Sequence, residues 1–296
     1  MQRSHVRSIL IGGLSTLASV SLTAILLAPG AAHADAVQVV KVKAVENANG
    51  TVYKFEGLPT SLKGGNIQFE LTNTGKEPHN LQIVRIDGVH SAADVMKIIS
   101  ADGGPIPTWM HGNGGVNRLP PGGVGRATVN LGAGKCLFIC TEANEKTKTA
   151  HATAGMAVNV NVTVTGAKAA ALPAATATIT AKEYGFETKG LKVGKNIVEF
   201  VNAGKELHHF QMFPIAAGKT IDDVKTFLAT TGAPTGPPPV DFEKGVGSGV
   251  IEKSEGSELT EITLVAGRYA ITCFISDRAG GPPHFTKGML TEVVIK

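Results

Sequence analysis

Twice in this chain a cysteine is followed eleven residues later by a histidine, and five residues beyond that by a methionine. The stretch CTEANEKTKTAHATAGM holds Cys140, His151 and Met156, and CFISDRAGGPPHFTKGM holds Cys273, His284 and Met289. The ten residues between cysteine and histidine share no identity at any position, whereas the three ends are the same. A second pair of matched segments, Asn73-Thr-Gly-Lys-Glu-Pro-His79 and Asn202-Ala-Gly-Lys-Glu-Leu-His208, adds one histidine to each set. Thiolate and thioether are soft donors and imidazole is a borderline one. Two imidazoles and a thiolate in one plane, beside a more distant thioether, suit a copper ion that cycles between Cu(I) and Cu(II). Placed this way, the ligands satisfy both oxidation states with little movement.

Such a constellation needs a scaffold that brings distant segments to one point, and the chain contains the scaffold twice. From Tyr53, YKFEGLPTSLKGGNIQFELTNTGKEPHNLQIV matches YGFETKGLKVGKNIVEFVNAGKELHHFQMF from Tyr184, and GKCLFIC matches GRYAITC further on. The small-residue run GAKAAALPA at 166–174 reads as a linker, which places one domain at 35–165 and the other at 175–296. VNVNVTV before the linker and ATATITA after it alternate strictly, the signature of strands with one buried face. Further strands are predicted over Ile67–Leu71, Leu81–Ile86, Arg126–Leu131 and Leu137–Cys140, each with a counterpart in the second half. Ser91 with Asp94, and Thr220 with Asp223, have the spacing of a capping box and predict one short helix per copy. The expected fold class is all-β: two tandem Greek-key β-sandwiches, each with one inserted helix.

Residues 1–34 do not fit this pattern. Arg3 and Arg7 precede an apolar stretch from Ile9 to Leu27, and Ala32-His33-Ala34 supplies small residues for cleavage, as in a secretory signal peptide. The alternative is a retained membrane anchor. Export implies a periplasmic or secreted protein with no membrane association once the leader is removed. The remaining net charge of about +2 is too small to indicate a nucleic-acid partner. With only three cysteines in the chain, a disulfide framework is not expected.

The sequence resembles the cupredoxin family, the plastocyanin and azurin type of blue copper proteins. The resemblance covers roughly 37–165 and 175–296 and rests on Asn-x-Gly-x-x-x-His early and Cys-x10-His-x4-Met late. It implies a Greek-key sandwich with copper at one end, so that His79, Cys140, His151 and Met156 form one site and His208, Cys273, His284 and Met289 the other. The chain would then carry up to two coppers and exchange electrons with a redox partner protein; composition points to no particular oligomeric state. The ten-residue spacer departs from the two to four residues usual in small electron carriers, while copper nitrite reductases show that longer loops close. Copper homeostasis without electron transfer and a metal-free binding module are the alternatives. Multicopper enzymes of this type add His-x-His pairs or a histidine beside the cysteine; neither occurs here, so a non-enzymatic protein is expected.

Other residues receive plainer readings. Cys136, aligned with Tyr269, is a core residue. His90, His111 and His209 have no counterparts and are expected to face solvent or lie just behind the ligands. Trp109 is expected to pack over a loop. The glycine-rich GNGGV near 114 and GVGSGV near 247 lack the context of a phosphate cradle and are expected to be turns.

Overall fold

The computed structural model describes residues 37–100, 104–164, 172–230 and 236–296. The leader at 1–34 lies outside the described residues, as does the linker except for 172–174, which forms no regular element. In the first half the strands are β1 Gln38–Glu46, β2 Tyr53–Glu56, β3 Ser61–Lys63, β4 Gly65–Asn73, β5 His79–Ile86, β6 Met110–Leu119, β7 Val124–Leu131, β8 Gly134–Ile139 and β9 Ala157–Thr163. In the second they are β10 Ala177–Lys182, β11 Gly185–Lys189, β12 Gly194–Asn202, β13 Gln211–Pro214, β14 Val246–Gly247, β15 Ser257–Leu264, β16 Gly267–Thr272 and β17 Leu290–Ile295.

The halves repeat one topology. One sheet runs β2-β1-β4-β7 in the first half and β11-β10-β12-β15 in the second, with β1 parallel to β4 and β10 parallel to β12. The facing sheets run β9-β8-β5-β6, with β3 added at the β9 edge, and β17-β16-β13-β14. Alternation does what it predicts: Ile67, Phe69 and Leu71 of β4, and Val198 and Phe200 of β12, point inward and are buried. Phe69 packs against Phe138 with ring centroids 5.3 Å apart, and Phe200 against Phe210 at 5.2 Å. Each such buried side chain contributes about 1.5–3 kcal/mol.

The helices α1 Ala92–Ser100 and α2 Ile221–Ala229 begin at the two capping boxes. Ser91 N–H and Oγ donate to Asp94 at 2.9 and 2.8 Å, and Thr220 makes the same pair to Asp223 at 2.7 and 2.8 Å. Val95 and Val224 are the buried residues of the two helices, lying over the outer faces of the second sheets.

The halves are joined more closely than the repeat alone conveys. β7 and β15 pair through Thr128–Leu259 and Ala127–Thr260, fusing the first sheets into one of eight strands. Alongside, Gly114 N–H donates to Val250 O at 2.9 Å and Glu252 N–H to Gly112 O at 2.8 Å, while the Gln82 amide brackets Val250 at both N–H and C=O. The two glycine-rich segments are therefore not the expected turns: one is the body of β6, and the other is β14 and the strap after it. Glycine is required because the backbones nearly touch. A Cβ on Gly115, whose φ is +138°, would overlap Leu81 O, and one on Gly249 would overlap the backbone of Gly114. Glu258 lies fully buried at this seam and accepts from Gly115 N–H at 2.9 Å and Gly249 N–H at 3.2 Å. Burial pushes its pKa up to about 8.

His111 does not face solvent: it bridges Asp87 and Glu252 at 2.9 and 2.6 Å, within the seam. His90 stacks on Trp109 with centroids 4.0 Å apart. Cys136 is buried in the first core and its thiol is pushed up to about 12 by burial.

Candidate metal centres

The early motif is a device for aiming a histidine. The Asn73 side chain accepts from Gly75 N–H at 2.9 Å and donates to Glu77 O at 2.8 Å and Leu119 O at 3.0 Å, folding the loop so that His79 opens β5 pointing inward. Asn202 repeats this with Gly204 N–H, Glu206 O and Ile251 O. A short amide side chain that bonds its own backbone two residues on is the usual way to hold such a turn.

The late motif is a clasp. Cys140 N–H donates to Met156 O at 3.1 Å, His151 N–H to Glu142 O at 2.9 Å and Met156 N–H to His151 O at 2.9 Å. Cys273, His284, Ile275 and Met289 make the same three bonds at 3.1, 2.8 and 3.0 Å. The ten unlike residues are thus a constant length of chain closed by identical backbone bonds. Only the ends need particular side chains.

These two devices bring six side-chain atoms into two triangles. Cys140 Sγ lies 3.7 Å from His79 Nδ1 and 3.6 Å from His151 Nδ1, with 3.1 Å between the nitrogens. In the second half Cys273 Sγ lies 3.8 Å from His208 Nδ1 and 3.5 Å from His284 Nδ1, again with 3.1 Å between nitrogens. The point equidistant from the three corners is about 2.0 Å from each in both halves, close to the roughly 2.0–2.1 Å and 2.3 Å at which a first-row ion such as zinc binds imidazole nitrogen and thiolate sulfur. All six side chains are 0% exposed, and so are Met156 and Met289, which pack in the same cores. A thiolate and two imidazoles of this geometry fit copper by donor type and by distance.

Burial sets the electrostatics of both triangles. Burial pushes the Cys140 thiol up to about 12 and the Cys273 thiol to about 11. Burial, reinforced by the neighbouring ligand imidazole, pulls His79 and His208 down to about 4. His79 Nε2 is buried without a hydrogen-bond partner, whereas His208 Nε2 lies 3.3 Å from Glu183.

His209 lies just behind the ligands, where its type alone suggests no role. Asn80 donates its backbone N–H to Cys140 Sγ at 3.4 Å, and its side-chain oxygen accepts from Thr141 N–H at 2.8 Å. His209, the aligned residue, has its backbone N–H on Cys273 Sγ, and its Nε2 accepts from Phe274 N–H at 2.9 Å. A neutral imidazole here does what the amide does opposite, and burial holds its pKa down to about 3. Asn80, Thr141, His209 and Phe274, each the residue after a ligand, line one cavity of about 340 Å³ at the seam.

Each half is thus a sandwich that gathers one histidine from the early motif with a cysteine, a histidine and a methionine from the late one. Each half has a cupredoxin-like fold. No protein-family model and no curated protein matches the chain. Among solved structures, the chain is similar over 44% of its length to 99% of a dithionite-reduced auracyanin from the photosynthetic bacterium Roseiflexus castenholzii, at 22% identity and TM-score 0.30. The chain is also similar to a copper nitrite reductase from Nitrosomonas europaea (18% identity, 88% of this chain, 94% of that one, TM-score 0.27) and to a multicopper oxidase (14%, 88%, 89%, TM-score 0.28). With TM-scores this low, what makes the halves cupredoxin-like is their own strand order and ligand placement.

Sequence reasoning did not find the groups around the ligand rings. Tyr53 stacks on His151 with centroids 4.1 Å apart, and Tyr184 tilts over His284 at 5.2 Å. Their identity at the first position of the internal match was the available signal. Glu77 and Asp277 meet the far nitrogens of His151 and His284 from different positions in the two copies; Glu77 is matched by Glu206, which bonds elsewhere, and Asp277 has Asn144 opposite it.

Proposed function

We propose that the chain is an exported copper protein that binds one ion per half and passes single electrons to and from a partner protein without catalysing a reaction. The observation that carries the reading is the pair of matching triangles, kept although the ten residues between cysteine and histidine have no identity in the two halves. Bound copper would supply the one-electron couple. His79, Cys140 and His151, with His208, Cys273 and His284 opposite, would hold it, and Met156 and Met289 would offer the weak axial sulfur. The protein's contribution is rigidity: clasped loops and fully buried ligands keep the donors in place when the charge changes, so little reorganises. The cavity that touches the neighbours of four ligands supports traffic near the seam rather than through the ligand edges.

The burial of every ligand also suits copper storage, which differs in having no fast electron exchange. Addition of Cu(II) to the mature protein is expected to give intense visible thiolate-to-copper absorption at two ions per chain, halved in Cys140→Ser and in Cys273→Ser. A colourless protein at saturating copper defeats the copper reading. Colour without a reversible potential leaves storage in place of transfer.

A further inference from the structure

In each half the ligand imidazole of the late motif is met at its outer nitrogen by a carboxylate. His151 Nε2 lies 2.9 Å from Glu77 Oε2, and His284 Nε2 lies 3.0 Å from Asp277 Oδ1. The two acids are not counterparts. Glu77 stands in the early motif, two residues before His79; its aligned residue Glu206 instead accepts from Arg278 N–H at 2.6 Å. Asp277 stands four residues after Cys273, where the first half has Asn144, which donates to Glu77 Oε1 at 2.6 Å and to Tyr53 Oη at 2.8 Å. The carboxylate has exchanged places with an amide or a loop tether, and the contact to the imidazole is the same. A tyrosine closes each arrangement: Tyr184 Oη donates to Asp277 at 2.8 Å, and Tyr53 Oη lies 3.3 Å from Glu77. Loop packing alone would not require an acid to meet the same nitrogen from two different places in the chain.

We propose, on the strength of the copper reading above, that Glu77 and Asp277 are positioning residues that hold His151 and His284 as Nε2–H donors and lower the reduction potential of the centres. Two physical effects act in one direction. An imidazole whose outer N–H is held by a carboxylate has its inner lone pair fixed toward the metal and is a stronger donor, and stronger nitrogen donation favours Cu(II) over Cu(I). The fixed negative charge also favours the site when it carries the extra positive charge of the oxidised ion. Reduction then adds one electron and moves no proton, the imidazole keeping its Nε2–H. The amide variants Glu77→Gln and Asp277→Asn retain an acceptor but lose the charge, separating the electronic role from a structural one.

The first measurement needs no metal. Nitrogen-15 NMR of the histidine-labelled, copper-free chain is expected to show His151 and His284 protonated at Nε2; protonation at Nδ1 overturns the assignment. The second is made with one site at a time, Glu77→Gln in a Cys273→Ser background and Asp277→Asn in a Cys140→Ser background. Colour is expected to persist, with Cu(II) affinity lowered ten- to hundredfold and Cu(I) affinity less affected. The potential rises by about 59 mV for each tenfold difference between the two. A potential that is unchanged or lower in both variants refutes the proposal even if the tautomer is as expected. A chain that takes up no copper removes the reading on which the potential depends, while the NMR experiment still decides whether the acids orient the rings.

Discussion

Copper binding to these sites should release the thiol proton across the neutral pH range, and the structure shows where that proton sits. The thiols, pushed up to about 12 and 11, are protonated in the empty sites, while His79 and His208, pulled down to about 4, are not. A thiolate is needed for ligation, so the bound state holds one proton fewer than the free state. Raising the pH therefore strengthens binding, by tenfold or about 1.4 kcal/mol per unit, between about pH 5 and the thiol pKa. From pH 6 to 8, affinity at fixed free Cu(II) should rise about a hundredfold. Below about pH 4 the slope should steepen, because imidazole protons must leave as well. Calorimetric titration in two buffers of different ionisation heat counts the protons directly. Zero protons per copper would mean a preformed thiolate and two would mean a charged imidazole. Either result refutes the electrostatic account of the site.

The other predictions concern the seam. Glu258 has its folded pKa raised to about 8, so the folded chain holds a proton that the unfolded chain has released above about pH 4.5. Stability should fall by about 1.4 kcal/mol per unit as pH rises across that window, and Glu258→Gln should abolish this contribution; urea unfolding at pH 5, 6.5 and 8 with no difference in slope between the two proteins removes the claim. Arg278 lies in the loop between Cys273 and His284, where its guanidinium donates to Ile106 O, Pro107 O, Met110 O and Glu252. Arg278→Ala should cost about 2–3 kcal/mol and weaken copper at the second site more than at the first. Equal effects on both sites in the corresponding Cys→Ser backgrounds would show that the loop does not depend on its anchor in the other half.

The converging cysteines and histidines were legible because their types and spacing recur in two copies whose intervening residues do not. The strands were legible because a half-buried sheet imposes a period of two, and the helices because Ser91–Asp94 and Thr220–Asp223 are local hydrogen-bonded units. The glycine segments were misread for an equally physical reason. A glycine admitting a positive φ at a turn and one admitting another backbone at van der Waals distance are the same residue, and only the partner at Val250 tells them apart. His111 was misplaced likewise, since its partners Asp87 and Glu252 come from different halves.

By itself the sequence determined two sandwiches, their core faces, and which four sulfur and imidazole side chains each half could offer to a metal. The tertiary structure alone decided that the halves share a sheet, that His209 does the work of Asn80, and that Glu77 and Asp277 meet equivalent imidazoles from unrelated positions. Periodicity and spacing are properties of neighbours along the chain and survive in one dimension. A hydrogen bond depends on separation in space, so it can be supplied from any position that the fold delivers to within 3 Å or so of its partner.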